Sequence, residues 1–152
     1  MTVSPIDLAV QVSETIAEEF EGFKLVAYWD KYGGCWTIGF GCTGEGITGG
    51  VTWTKERAIA ELRQRLNLAH NQAMTFSTRL ISASPCAQAA ITDFIYNCGL
   101  GRYLNSTALK PAIDRGDFVA ASQEIKKFCH AGTVELPGLV RRRELESILL
   151  LQ

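Results

Sequence analysis

Strand signals in this chain are confined to one short stretch, and that confinement limits the fold more than any other feature. Cys35 to Gly41 alternates strictly, with Trp36, Ile38 and Phe40 on one face and Cys35, Thr37, Gly39 and Gly41 on the other. Period-two alternation behind a Gly33-Gly34 turn reads as a hairpin or small antiparallel sheet. After Thr52 every pattern is helical. One small sheet followed by helices alone indicates an α+β fold. A lone hairpin is marginal in water, so the sheet must lean on helices, starting with the one before it. The result is one domain over residues 1–152, with a sheet lobe at about 23–52 and a helical lobe at about 54–152 plus the N-terminal helix. Ligands commonly bind in the groove between two such lobes.

Local punctuation marks the helices. Ser4-Pro5 supplies an N-cap and a first-position proline, and Ile6, Ala9, Val10, Ile16, Ala17 and Phe20 form a 3.6-period stripe that ends at Glu21-Gly22. Thr54 opens a long helix to about residue 74, with Ile59, Leu62, Leu66, Ala69 and Ala73 buried. Ser84-Pro85 opens another, carrying Ala87, Ala90, Ile91, Phe94 and Ile95 and closed by Gly99. Shorter helices are expected over 106–115 and from Asp117 to about Cys129. A last helix follows Pro137, with Leu145, Ile148 and Leu149 as its apolar residues.

Composition excludes several functions. Formal charge is −1, so bulk charge offers nothing to nucleic acid, although the second half is the more basic. No apolar run approaches the ~20 residues of a bilayer span, and the start has no positive n-region, so neither export nor stable membrane insertion is expected. Five cysteines without CxxC pairs argue against a disulfide framework or a zinc site and for reduced, buried thiols. His70 and His130 lack partners at metal-ligand spacing and are expected to be solvated or capping residues. No metal and no cofactor are expected.

Two isolated acids flank the glycine-rich stretch. Glu21 follows the C-terminus of a helix, where the macrodipole is negative, and lies between Phe20 and Phe23. Both surroundings favour the protonated carboxyl that a general acid needs. Taken singly, Glu21 is a common surface residue at a helix end. Asp30, in Trp-Asp-Lys-Tyr-Gly-Gly, is equally a turn residue that bonds its own backbone. Thr37 has only Cys35, Gly39 and Gly41 on its strand face, so it is expected to point into the groove with room before it. Together, two carboxyls and a hydroxyl suit glycoside hydrolysis, with glycines clearing the floor for a sugar.

The stretch Glu21-Gly22-Phe23-Lys24-Leu25, Ala27-Tyr28, Asp30 and Trp36-Thr37-Ile38-Gly39-Phe40-Gly41 closely resembles the catalytic segment of phage-type lysozymes, the muramidase endolysins of glycoside hydrolase family 24. Phe94 to Gly99 resembles the family's mid-chain helix end, which would place Asn97 in the cleft. Leu136-Pro137-Gly138-Leu139 with Arg141 to Glu144 resembles its C-terminal signature. The resemblance implies a lysozyme-like fold, catalytic Glu21, Asp30 and Thr37, and substrate contacts at Asn97, Gly39 and Gly41. It implies hydrolysis of the β-1,4 bond between N-acetylmuramic acid and N-acetylglucosamine in peptidoglycan, causing host lysis. It also implies inversion, hence carboxyls roughly 6.5–9.5 Å apart. A monomer made in the host cytoplasm, released to the wall by a holin, fits the same picture.

Two departures stand out. Six residues separate Asp30 from Thr37 where five are usual, which a bulge or longer loop would absorb. Cys42 stands where the strand usually ends in histidine, and a thiol cannot serve as imidazolium does. Cys35 and Cys42 flank Thr37, but both fit as plain strand-end residues. Arg141 to Arg143 are expected to decorate the last helix, with one available to pair with an acid near Glu21. The rival readings are a lytic transglycosylase of the same fold, needing only the glutamate, and a non-catalytic glycan-binding domain.

Overall fold

The structure, a computed structural model, describes residues 5–152. Helix α1 (Pro5–Phe20) leads into strands β1 (Lys24–Asp30) and β2 (Cys35–Gly39). There follow α2 (Lys55–Phe76), a 3-10 turn (Thr78–Ser82), α3 (Pro85–Cys98), α4 (Leu100–Leu104), α5 (Leu109–Arg115) and α6 (Phe118–Ile125). A two-residue hairpin, β3 (His130–Ala131) with β4 (Val134–Glu135), precedes the last helix, α7 (Pro137–Leu149). Ser4, the expected cap of α1, and the side chain of Ile6 lie outside the described residues.

Caps form where the sequence places them. The Thr54 and Ser84 hydroxyls accept the N–H groups of Arg57 and Ala87, and the Asp117 carboxylate accepts that of Ala120. Gly116, left-handed at φ 74°, ends α5. Strands β1 and β2 pair antiparallel, with Tyr28 opposite Thr37, Trp29 opposite Trp36 and Asp30 opposite Cys35. A register irregularity between Lys24 and Tyr28 marks a bulge.

Helix α2 joins two cores. Its Ala58, Leu62 and Leu66 pack with Val10, Ala17, Ala27, Ile38, Phe40 and Trp53 beneath the sheet. One turn further, Ala69 and Ala73 pack with Ile91, Phe94, Tyr103, Ile113 and Ile125 among the helices. Half-buried Tyr96 touches both cores. Helix α1 is fastened to α3 by the buried Ser13 hydroxyl, which donates to the Ala9 and Ala89 carbonyls (3.0 and 3.2 Å).

Three expectations fail. Helix α6 stops at Ile125 rather than near Cys129, and the β3–β4 hairpin follows it. His70 is neither solvated nor a cap: it is 2% exposed, with Nδ1 3.2 Å from the Thr92 hydroxyl. Helix α7 turns the opposite way from its apolar pattern. Arg142, Arg143, Glu146 and Ser147 are buried, while Ile148 is exposed.

Candidate active site

Glu21 is the first residue beyond α1. Its N–H donates to the Ala17 carbonyl (2.9 Å), and Gly22, at φ 66°, turns the chain away. The side chain therefore projects from the helix end toward α7, where Arg142 Nη1 donates to its Oε1. Arg142 grips Asp93 with its other face, Nε to Oδ2 and Nη2 to Oδ1, both at 2.8 Å. Asp93 is fully buried on α3, so one guanidinium joins α1, α3 and α7. Burial opposes the charge on Arg142, but Asp93 first and Glu21 second outweigh it and hold the guanidinium protonated above its ordinary range. Glu21 is thus not simply ringed by rings. Phe23 stacks on Phe40 (centroids 4.7 Å apart), and the nearest strong neighbour of the carboxyl is a cation.

The second oxygen of Glu21 faces the strand end. A Cβ on Gly41 would stand 2.7 Å from Oε2, and Gly41 itself sits at φ 79°. Only glycine leaves that oxygen accessible while adopting that backbone. The Tyr96 hydroxyl donates to the Phe40 carbonyl (2.5 Å), fixing the strand end against α3. Burial, and then the Glu21 carboxylate, push that phenol far above its usual range.

Asp30 ends β1. Its Oδ1 accepts the Tyr32 N–H (2.9 Å) and its backbone carbonyl accepts the Gly34 N–H (2.7 Å), so it shapes its own turn as a turn aspartate does. Oδ2 lies 2.8 Å from where a Gly33 Cβ would be, which makes Gly33 a clearance residue for the carboxylate. The additional residue before Thr37 is taken up in the turn from Lys31 to Gly34. Because Asp30 pairs with Cys35 and Tyr28 with Thr37, all four share one sheet face. Burial first, then the charges of Asp30 and Glu21, raise the Tyr28 phenol above its usual range.

Thr37 and Gly39 depart from expectation. Thr37 is 3% exposed, with its hydroxyl 3.9 Å from the Cys35 sulfur, so it has no open room before it. Gly39 does not face the groove. At φ 66° it breaks the alternation, and its missing Cβ admits the Trp53 ring (3.2 Å) and Ala58. The space a side chain would need is used for packing. Cys42 is buried in the sheet-lobe core, and burial raises its thiol. The position is filled by packing.

A cleft of about 420 Å³ opens beside Glu21 and Gly41, and its walls include Arg65, Gln72, Tyr96 and Asn97. Asn97 stands where sequence placed it. Its Oδ1 accepts from Arg143 Nη2 (2.9 Å), and since a guanidinium only donates, the amide nitrogen is the end left to offer a hydrogen bond. Asp30 and Thr37 do not border this cavity; they share one face of the hairpin. Sequence reasoning did not find Asp93; it allowed one arginine of the 141–143 run to pair with an acid near Glu21, and Arg142 is the one that does.

Residues 18–146 match the family described as Phage lysozyme. The chain belongs to the phage lysozyme family. This phage lysozyme is 31% identical over 126 residues to the SAR-endolysin of Enterobacteria phage PA-2, covering 83% of this chain and 74% of that protein. Its fold matches the active form of P1 phage endolysin Lyz with a TM-score of 0.81 at 23% identity, over 93% of this chain and 83% of the other. The muramidase domain of SpmX from Asticaccaulis excentricus superposes with a TM-score of 0.82 at 24% identity, over 93% and 96% of the two chains. The α+β lysozyme fold read from the sequence is therefore the observed one. This phage lysozyme is a glycoside hydrolase, an endolysin with muramidase function, and its substrate is peptidoglycan. Among the described residues, no helix is long and apolar enough to cross a membrane.

Proposed function

We propose that Glu21 is the proton donor of the muramidase reaction, acting through Oε2. The observation that carries this is the division of labour at its carboxyl: Arg142 holds Oε1, and the glycine at position 41 keeps Oε2 open to the cleft. The scissile β-1,4 bond between N-acetylmuramic acid and N-acetylglucosamine lies across this oxygen. Glu21 protonates the leaving glycosidic oxygen as positive charge grows at the anomeric carbon. Asp30, steered by the Tyr32 N–H and the Gly33 gap, stabilises that charge and directs the attacking water from the other side. Asn97 donates its amide N–H to a substrate acyl or hydroxyl oxygen. Attack by water from the face opposite the leaving group inverts the anomeric centre.

The enzyme acts as a monomer made in the host cytoplasm, and a holin lets it reach the wall. Glu21→Gln and Asp30→Asn test the assignment on purified sacculi. Each is expected to lower turnover by about 10²–10⁴-fold with unchanged far-UV circular dichroism, the contribution typical of a positioned acid or base. Unaltered clearing by folded Glu21→Gln enzyme would refute it. A nuclear magnetic resonance time course of a soluble oligosaccharide, showing the α-anomer as first product, checks inversion.

A further inference from the structure

Away from the cleft, the chain after α6 gathers three metal-ligand side chains. The Cys129 sulfur lies 3.4 Å from His130 Nδ1 and 3.6 Å from Glu135 Oε2. One donor atom from each residue falls within 4.8 Å of the other two. The hairpin produces this grouping. His130 and Glu135 are opposed across β3 and β4, so their side chains share a face. Gly132, at φ 62°, makes the turn between them. The Leu136 N–H donates to the Cys129 carbonyl (2.9 Å), seating the cysteine at the base of the same ladder. Cys129 is buried, whereas His130 and Glu135 are exposed and able to adjust.

The spacing can be compared with what a metal demands. Zinc takes sulfur at about 2.3 Å, imidazole nitrogen at about 2.0–2.1 Å and carboxylate oxygen at about 2.0–2.2 Å, in a tetrahedron. Those bonds put sulfur about 3.5 Å from each of the other two donors. The two separations from Cys129 already meet that requirement, and the remaining edge closes by rotating exposed side chains. A thiolate in the donor set selects zinc-like ions over calcium or magnesium. The alternative occupant of the space is a proton, with the thiol bonded to the carboxylate. Metal capture displaces that proton, because a thiolate is the form that ligates.

We propose that Cys129, His130 and Glu135 bind one thiophilic divalent transition-metal ion of the zinc type, clasping the two strands of the 130–135 hairpin to the cysteine at its base. Water completes the fourth position. The hairpin borders a hollow of about 270 Å³ that His130 shares with Asn97, and Asn97 also lines the cleft. The clasp therefore fixes the segment standing behind one substrate-binding residue, without itself entering the cleft.

Anaerobic titration of the reduced, chelator-treated enzyme with Co²⁺ tests the site. Expected are one equivalent bound, a near-ultraviolet sulfur-to-cobalt charge-transfer band, tetrahedral-strength visible bands, loss of both on adding Zn²⁺, and a melting temperature raised by several degrees with Zn²⁺. Cys129→Ser should abolish the charge-transfer band and Cys86→Ser should leave it intact. Should Cys129→Ser fold poorly, the exposed His130→Ala and Glu135→Gln serve instead, each weakening Co²⁺ binding at least tenfold. The proposal is overturned by absence of the band, by a band that survives Cys129→Ser, or by unchanged affinity in both His130→Ala and Glu135→Gln.

Discussion

Replacing Arg142 by methionine should be among the most damaging single changes outside the apolar core. Its side chain is 3% exposed and its bidentate partner Asp93 is 0% exposed, so the pair is not screened by solvent. Methionine fills much of the volume but leaves the Asp93 carboxylate buried with no cation. Breaking a buried pair from one side costs about 3–5 kcal/mol, most of it the stranded charge. The Glu21 arm is 19% exposed and adds less. For a chain of this size about 2–4 °C of melting temperature is lost per kcal/mol, so a fall of about 10 °C is expected. Urea unfolding followed at 222 nm measures the loss. The double variant Arg142→Met/Asp93→Leu removes both charges and should recover at least half of it, because replacing both partners by apolar groups is often neutral. The exposed pair Glu14–Arg63 is the control. Arg63 is 60% exposed, and Arg63→Met should cost about 0–1 kcal/mol. A single-variant cost below about 1 kcal/mol, or a double variant as unstable as the sum of its singles, would refute the stranded-charge reasoning.

Gly41→Ala combines a left-handed backbone with a Cβ pressed on the Glu21 carboxyl, whereas Gly22→Ala carries only the backbone cost of about 1–2 kcal/mol. Both should lose stability, but only Gly41→Ala should lose turnover beyond its unfolded fraction, as read by sacculus clearing and calorimetry together. Burial lowers the His70 pKa below 6.5, so the unfolded chain takes up a proton there that the folded chain refuses. Its stability contribution is complete above pH 6.5 and declines as pH falls through that value toward the folded pKa, by at most about 1.4 kcal/mol per pH unit. His70→Gln should flatten that part of a stability-versus-pH curve. Among the thiols, buried Cys42 should react with iodoacetamide far more slowly than half-buried Cys35, Cys86 and Cys98, as peptide mass mapping would show.

Elements with local chemical marks were readable in the sequence. Thr54, Ser84-Pro85, Gly99 and Gly116 mark helix ends because each satisfies or releases backbone groups within a few residues. The hairpin followed from period-two patterning and paired glycines, but its register did not. The candidate site was half readable. Glu21, Asp30 and Asn97 stand at chain punctuation, at a helix end, a strand end and a helix end. Gly39 was misjudged because one positive φ redirects a strand face, and the apolar partner that fills the gap, Trp53, lies beyond the loop. Arg142, Arg143 and Glu146 were invisible as interior residues, since charges read as surface unless their partners are known. Asp93 and Asn97, which receive the two arginines, are 49 and 46 positions away in sequence. The β3–β4 hairpin escaped notice because two-residue strands carry no period.

Digesting purified sacculi in H₂¹⁸O and weighing the muropeptides puts the paired-carboxyl chemistry to its most direct test. Water directed by Asp30 should leave one heavy oxygen on the new reducing end of N-acetylmuramic acid, and Glu21→Gln should abolish that product. Unlabelled 1,6-anhydro ends would instead show that the sugar's own hydroxyl closed the ring, leaving Asp30 without the role assigned to it.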